Sequence, residues 1–251
     1  MVRGTDNTGL WGETTLEHPT TSPLEGECIC DVAVIGGGFT GLSAALHLAE
    51  KGVNVAVVEA KGLGHGGSGR NVGLVNSGLW LTYDDVRKGL GDTYGNRLIN
   101  TLEHAPKQVF DIIEKFDIQC ESVRKGTLNC AHSEKALRGL TERAQYRKTL
   151  GSNVEILNAA EIANRTGTDH YSGALLDHNA GTIQPLAYAM GLGRAAIEAG
   201  AKVFTNSPVT ALQRDGNHWR VKTKNGSLLA EKVLIAVGAY GRDNENISSP
   251  V

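Results

Sequence analysis

The sequence predicts an α/β fold: a central parallel sheet with helices, joined by a three-stranded antiparallel meander. Three observations carry this. An apolar strand, Asp31–Ile35, runs through glycines into an alanine-rich helix, Thr40–Lys51, and on to a second strand, Val53–Val58. That is strand–helix–strand in about 30 residues, the length of a βαβ unit. The second strand is valine-rich and alternates little, as a strand covered on both faces does. Finally, turn signals at Asp215-Gly216-Asn217 and Asn225-Gly226 separate Val209–Arg214, Trp219–Thr223 and Leu228–Val233, the pattern of a meander.

Composition agrees with a soluble globular chain: 251 residues, 40% hydrophobic and 21% charged, are enough for one large domain or two modest ones. The net charge of −2 argues against a nucleic-acid or anionic-membrane partner held by bulk charge. The N-terminus lacks the apolar core of a signal peptide, and no apolar run is long enough to span a bilayer. Cys28, Cys30, Cys120 and Cys130 form no CxxC pair and show no metal-type spacing, and Cys28 and Cys30 read as buried or half-buried thiols, against a redox or metal role. A cytoplasmic location is the expectation.

Along the chain, residues 1–27 are polar, carry Pro19 and Pro23, and read as an extended arm. Gly52 caps the first helix. The loop from Gly62 to Gly78 holds seven glycines. Loops this long in a compact protein are usually functional. Leu98, Leu102, Ala105, Val109, Ile112 and Phe116 recur at helical spacing, and Pro106 within them is expected to kink or split the helix. Residues 121–132 read as a short hairpin, 133–150 as a helix, and 159–167 as a short helix closed by Gly167. A strand is expected within 171–181. A helix over Leu186–Ala199 has Pro185 at its first turn and Gly200 as its cap, and Lys202–Thr205 is a strand. Residues 231–241 read as an apolar return strand entering a glycine turn, and 242–251 as a polar tail.

The chemistry sits at Gly36-x-Gly38-x-x-Gly41, between the first strand and its helix. Gly36 permits the tight turn, Gly38 lets backbone approach a pyrophosphate, and Gly41 lets helix and strand pack closely. The pyrophosphate would rest on N–H groups at the positive helix end. Glu59 ends the second strand, where an acid accepts hydrogen bonds from an adenosine ribose and repels a 2′-phosphate. NADP is thereby disfavoured, while NAD and FAD both satisfy the fingerprint. Two features lean toward FAD. The loop Gly66–Gly73, "GGSGRNVG", follows the acid directly and offers amides, Ser68 and Arg70 to a second phosphate or a flavin edge. After the βαβ unit the chain makes a meander rather than further βαβ repeats.

Four blocks in this order resemble the FAD-dependent amine and amino-acid oxidoreductases of the D-amino-acid-oxidase-like superfamily. They are residues 30–60, 66–75, 181–212 and 232–241, and they span nearly the whole chain. Within it, the chain looks like the branch with gamma-glutamylputrescine oxidases, sarcosine-oxidase-like enzymes and glycine oxidases. The resemblance implies a Rossmann-like FAD-binding domain built from 28–80 and 181–241, with 81–180 a helical region holding part of an α+β substrate domain. Gly36, Gly38 and Gly41 would hold the FAD pyrophosphate, with Gly37, Phe39 and Thr40 in the same turn. Glu59, beside Ala60, would hold the ribose. Ser68, Arg70 and Asn71 would lie on the flavin side, with Gly67 and Gly73 in their loop. Val209 would meet the adenine, and Ala236 and Gly238 would pass over the cofactor, with Val237 where the pattern commonly has threonine.

The implied reaction is hydride transfer from a carbon bearing an amine nitrogen to the flavin, with imine hydrolysis and O2 as acceptor, giving H2O2. The partners implied are a small amine or amino acid and O2. No residue is assigned as catalytic. His65 and His178 are candidates to approach the flavin, against plainer readings as a loop and a structural histidine. Trp80 and Tyr83 are candidates to shape a substrate pocket, against ordinary packing. Gln184-Pro185 reads as a helix start. Family members continue past the turn at 238–241, so the chain reads as an N-terminal portion. A catalytically incomplete FAD-binding fragment and an NAD-binding dehydrogenase module are the alternatives.

Overall fold

The computed structural model describes residues 9–79 and 81–243. In chain order the elements are α1 (Gly9–Thr14), β1 (Gly26–Ile35), α2 (Phe39–Ala49), β2 (Val55–Val58), β3 (Leu74–Val75), α3 (Tyr83–Lys115), β4 (Thr127–Ala131) and α4 (Glu134–Thr149). They continue with β5 (Val154–Asn158), α5 (Ala159–Thr166), β6 (Gly173–Asp177), β7 (Gly181–Thr182), α6 (Pro185–Glu198), β8 (Lys202–Phe204), β9 (Ala211–Asp215), β10 (His218–Lys222) and β11 (Gly226–Ile235). The described residues form two compact units. One comprises 9–72, Phe116–Cys120 and 184–243; the other comprises Gly73–Lys115 and Glu121–Ile183.

The first unit is built on a six-stranded sheet in the order β8-β2-β1-β11-β10-β9. β8, β2, β1 and β11 run parallel, and β10 and β9 close the sheet antiparallel. All four residues of β2 are buried, as its valine-rich sequence requires. Cys30, Ala33, Ile35, Ala56 and Val58 pack with Leu24, Val221 and Leu228 in one cluster. α2 and α6 pack against each other, and α6 is buried along most of its length. Gln184 Oε1 accepts from the Ala187 N–H at 2.7 Å and caps α6, with Pro185 at its first turn.

Two expectations change here. The third meander strand and the return strand are one ten-residue strand, β11, paired with β1 from Gly26↔Gly226 to Ile35↔Ile235. β10 covers only its first part, Ser227–Ala230. The arm is also no loose extension. It contains α1, buries Leu24, and passes into β1 at Gly26. Within it, Glu17 is buried and accepts from Arg194 Nε at 2.9 Å and from the Gln119 N–H at 3.0 Å. Burial pushes the Glu17 carboxyl up, but the Arg194 hydrogen bond, the Gln119 N–H and the Arg194 charge together hold it below the ordinary carboxylate range. A carboxyl lowered in the folded state contributes stability above its unfolded pKa and loses it as pH falls through the folded one. Glu17→Gln should therefore be less stable than the parent at neutral pH, and the gap should close below about pH 4. Urea midpoints of both proteins across pH 3–7 check this, with a pH-independent gap as the contrary result.

The second unit holds a three-stranded antiparallel sheet, β4-β6-β5, and a two-stranded one, β3-β7. The expected hairpin at 121–132 is absent. Only β4 forms there, and it pairs with β6, Thr127 opposite Asp177, rather than with a local partner. α4 and α5 fall where the sequence puts them, capped by Ser133 and by an Asn158–Glu161 capping box, with Gly167 left-handed at the end of α5. α3 breaks at Gly91 (φ 73°, ψ 164°), and Pro106 sits inside helical backbone. The Leu102 carbonyl, which Pro106 cannot serve, instead accepts from the Gly78 N–H at 3.3 Å.

This unit also encloses an ion network that no motif announces. Arg147, Glu103 and Asp177 are all buried. Arg147 donates to Glu103 Oε2 at 2.9 Å and to Asp177 Oδ2 at 2.8 Å. Tyr83 and Ser152 also donate to Glu103, and Ser77 to Asp177. Burial first, then the adjacent Glu103, pushes the Tyr83 hydroxyl up to about 12.

Candidate functional site

A cavity of about 910 Å3 opens within the first unit. This is at the upper end of the ~300–1,000 Å3 common for small-molecule sites, as an extended ligand requires. Its walls are the β1–α2 turn, the end of β2, the glycine-rich loop, the segment before β9 and the turn after β11. Of the residues expected from the sequence to bind the cofactor, all line it except Gly41 and Gly73.

The β1–α2 turn is made of backbone brought very close. The Gly36 N–H donates to the Val58 carbonyl at 2.9 Å, and Gly36 has φ 112°, a conformation that favours glycine. A Cβ there would lie 2.5 Å from the Ala236 oxygen. A Cβ at Gly38 would lie 2.7 Å from Ser68 Oγ, so bare backbone here lets the glycine-rich loop close onto the turn. Gly41 stands behind the wall. Its missing Cβ would collide with the Gly36 carbonyl oxygen, which is the close helix–strand approach expected of the third glycine. Leu42 is the first N–H to close a turn of α2, onto the Gly38 carbonyl at 2.9 Å. The N–H groups of Phe39, Thr40 and Gly41 precede it and form the positive end of the helix. That of Phe39 donates to Ser68 Oγ at 3.0 Å.

Glu59 braces this turn. Its Oε2 accepts from the Gly37 N–H at 2.6 Å and its Oε1 from the Lys61 N–H at 2.9 Å. A carboxylate accepts about four hydrogen bonds, so two sites stay open to hydroxyl donors. The glycine-rich loop folds on itself. Gly64 donates to the Gly37 carbonyl and Gly69 to the Gly64 carbonyl, both at 2.8 Å. Asn71 Nδ2 donates to the carbonyls of Gly67 and Ser68 at 3.1 and 2.9 Å. Arg70 donates to His65 Nε2 at 2.9 Å, and both line the cavity. Arginine can only donate, so this nitrogen of His65 carries a lone pair.

Gly73 lies off the cavity, buried at φ 76° with its carbonyl accepting from the Ile183 N–H. The loop's own turn ends at Asn71, two residues earlier. His178 also lies elsewhere, paired with Glu155 at 3.2 Å. Tyr83 is buried and bonded to Glu103. Trp80 falls outside the described residues. Sequence reasoning missed Lys61, Ser207, Pro208 and Tyr240 as lining residues. Ser207 and Pro208 precede Val209, and Ser207 docks on Glu59 through its N–H at 2.9 Å. Tyr240 lies so close to Gly66 that a Cβ there would fall 2.8 Å from its ring. Among the described residues no cluster of three His, Cys, Asp or Glu suits a metal, and no helix is long and apolar enough to cross a membrane.

A parallel sheet with a glycine cradle at the carboxyl end of its first strand defines a dinucleotide-binding protein. Comparison with known proteins narrows this. Residues 31–250 match the family described as FAD dependent oxidoreductase (DAO), and the chain belongs to that family, whose cofactor is FAD. It is 37% identical over 212 residues to the gamma-glutamylputrescine oxidoreductase of Escherichia coli, covering 84% of this chain and 49% of that protein. It is 35% identical, with the same coverage, to the probable oxidoreductase OrdL of Haemophilus influenzae. The fold matches the glycine oxidase of Geobacillus kaustophilus with a TM-score of 0.70 at 24% identity, covering 84% of this chain and 56% of that one. The L-amino acid deaminase of Proteus myxofaciens matches with a TM-score of 0.76 at 23% identity, covering 92% and 50%. The chain spans about half the length of the curated relatives it matches.

Proposed function

We infer that this chain supplies the FAD-binding part of an oxidoreductase that oxidises a small amine or amino acid, with O2 as acceptor. The observation that carries the reading is the single cavity uniting the Gly36–Gly38 turn, Glu59, the Ser68–Asn71 loop, Val209 and the Ala236–Gly238 turn. These residues fit FAD in order. The open acceptor sites of Glu59 take the adenosine ribose hydroxyls, with Val209 beside the adenine. The N-terminal amides of α2 take the pyrophosphate, and Lys61 and Arg70 add positive charge to the same cavity. Ser68, Arg70, Asn71 and the turn over Ala236 and Gly238 flank the flavin side. When bound, FAD would supply the oxidising power for the carbon that bears the amine nitrogen, with O2 as the final acceptor. The protein's share is to fix and shield the cofactor. The names of its relatives support the substrate class: one oxidises gamma-glutamylputrescine, and others act on sarcosine or glycine.

The test is direct. Purified protein should carry, or take up, FAD with absorbance near ~450 nm, the flavin signature. It should show no comparable affinity for NAD. Amines and amino acids should then bleach the bound flavin without air and yield H2O2 with it. A chain that stays colourless when given FAD would overturn the cofactor assignment. A flavin-loaded chain inert to every amine would overturn the activity of this chain while leaving the cavity reading in place.

A further inference from the structure

We propose that the N-terminal arm, residues 9–24, is a strap that presets both walls of the FAD cavity, with Trp11 the positioning residue at its loop end. The proposal rests on the reading of this cavity as the FAD site.

α1 has six residues, too few to hold a helix without outside contacts. Its contacts are with α6 and its cap: Gln184 Nε2 donates to the Trp11 carbonyl at 2.8 Å and to Thr14 Oγ1 at 3.3 Å. So fixed, Trp11 Nε1 donates to the Asn71 carbonyl at 3.0 Å. Asn71 is the residue whose amide closes the loop onto Gly67 and Ser68, and Ser68 Oγ receives the first N–H of α2 from Phe39. A continuous run of hydrogen bonds thus joins the arm to the helix end that faces the pyrophosphate.

The other end of the strap reaches the opposite wall. Thr21 and Thr205 share a 2.7 Å hydroxyl bond, Thr205 donates to the Ser22 carbonyl at 3.2 Å, and the Leu24 N–H donates to Ser207 Oγ at 2.8 Å. Ser207 lines the cavity. Between the two ends, Glu17 anchors the arm to Arg194. The loop being held contains five glycines from Gly62 to Gly69. Such a segment loses much conformational freedom on ordering. A strap that orders it before the cofactor arrives removes that cost from binding.

The test uses the full chain with and without FAD, and Trp11→Phe, which keeps an aromatic body and deletes the donor. Loss of one such hydrogen bond predicts FAD release about fivefold faster. Amide exchange at Ser68–Asn71 of the FAD-free protein should quicken to a similar degree, while its thermal midpoint changes little. Thr21→Val should quicken exchange at Thr205 and Ser207 and leave the loop alone. If Trp11→Phe leaves loop exchange and FAD release unchanged, the strap is wrong. A general fall in stability with uniform exchange overturns it too, since Trp11 would then be only a packing residue. FAD retention with no loop effect sinks the strap alone. A loop effect in a chain that never retains FAD sinks the cavity reading and the strap's cofactor role with it.

Discussion

Gly41→Ala is expected to distort the cradle and to weaken FAD retention at least tenfold. The position lies in the first turn of α2 with ordinary helical backbone, where alanine is intrinsically favoured over glycine by about 1 kcal/mol. Propensity alone would therefore predict stabilisation. Packing predicts the reverse. The added Cβ would collide with the Gly36 carbonyl oxygen and crowd Val34 Cγ1 at 3.2 Å. Neither neighbour can move freely. Gly36 is fixed by its bond to Val58, and Val34 is fully buried in the parallel sheet. Overpacking against fixed atoms costs about 1–3 kcal/mol, and more where backbone must shift. The expected net loss is about 2 kcal/mol or more, with FAD affinity reduced at least tenfold because the shift moves the amides proposed to hold the pyrophosphate. Gly62→Ala is the control. It lies in the neighbouring loop with no atom within 4 Å of its added Cβ, and should stay within ~0.5 kcal/mol of the parent. Urea unfolding and FAD titration measure both. A Gly41→Ala protein as stable and as yellow as the parent would show that α2 can slide away from β1 at no cost.

The contrast between these two glycines shows what was legible in the sequence. Glycine spacing encodes close approach, and the strand–glycine–helix order gives that spacing its meaning. Gly36, Gly38 and Glu59 were readable because one local segment contains the whole cradle. The opposite wall was partly readable. Val209, Ala236 and Gly238 came from the family resemblance, but Lys61, Ser207 and Tyr240 did not, since nothing else marks a residue as lining a cavity except the fold that brings it there. The β11 misreading has a similar cause. Two overlapping apolar stretches were assigned as separate strands. A single strand that pairs with β10 on one side and β1 along its full length looks, locally, like a meander strand followed by another. The arm was unreadable because, apart from Leu24, its buried groups are polar. Thr15 and Glu17 are interior through specific partners, not through hydrophobic period.

Distance in sequence explains the second unit's errors. A hairpin is the default reading for two short runs around a glycine, and 121–132 offers one. The real partner of Thr127 is Asp177, 50 positions away, so loop length and turn chemistry could not reveal it. The helices, whose caps and stripes are local, fell into place. The break in α3 sits at Gly91 because that residue adopts φ 73°, while Pro106 stays helical. The carbonyl that Pro106 leaves without a helical donor is served by Gly78, so the tertiary structure absorbs a defect that local rules treat as a stop.

The same unit carries the largest stability effect expected outside the cradle. Arg147→Met should cost about 3–5 kcal/mol, because it strands two buried carboxylates together. Glu103 and Asp177 have side chains 1% and 6% exposed, so water cannot replace the lost guanidinium. The neutral donors that remain, Tyr83 and Ser152 on Glu103 and Ser77 and Asn179 on Asp177, satisfy some lone pairs but supply no countercharge. Methionine fills most of the volume, so the effect isolates charge from packing. The network also ties segments that local structure cannot join: the turn before α3, the middle of α3, the end of α4 and the end of β6. Its loss should therefore loosen the whole unit. Reduced amide protection in α3, α4 and β6 together, alongside a lower urea midpoint, is the expected signature. Replacing Arg147, Glu103 and Asp177 at once by Met, Leu and Asn should recover part of the loss, since it removes the ions rather than orphaning them. If Arg147→Met costs under about 1 kcal/mol, in the range of an exposed pair, the network contributes no more than a surface salt bridge. The burial that makes it costly would then have to be relieved by motion of the unit.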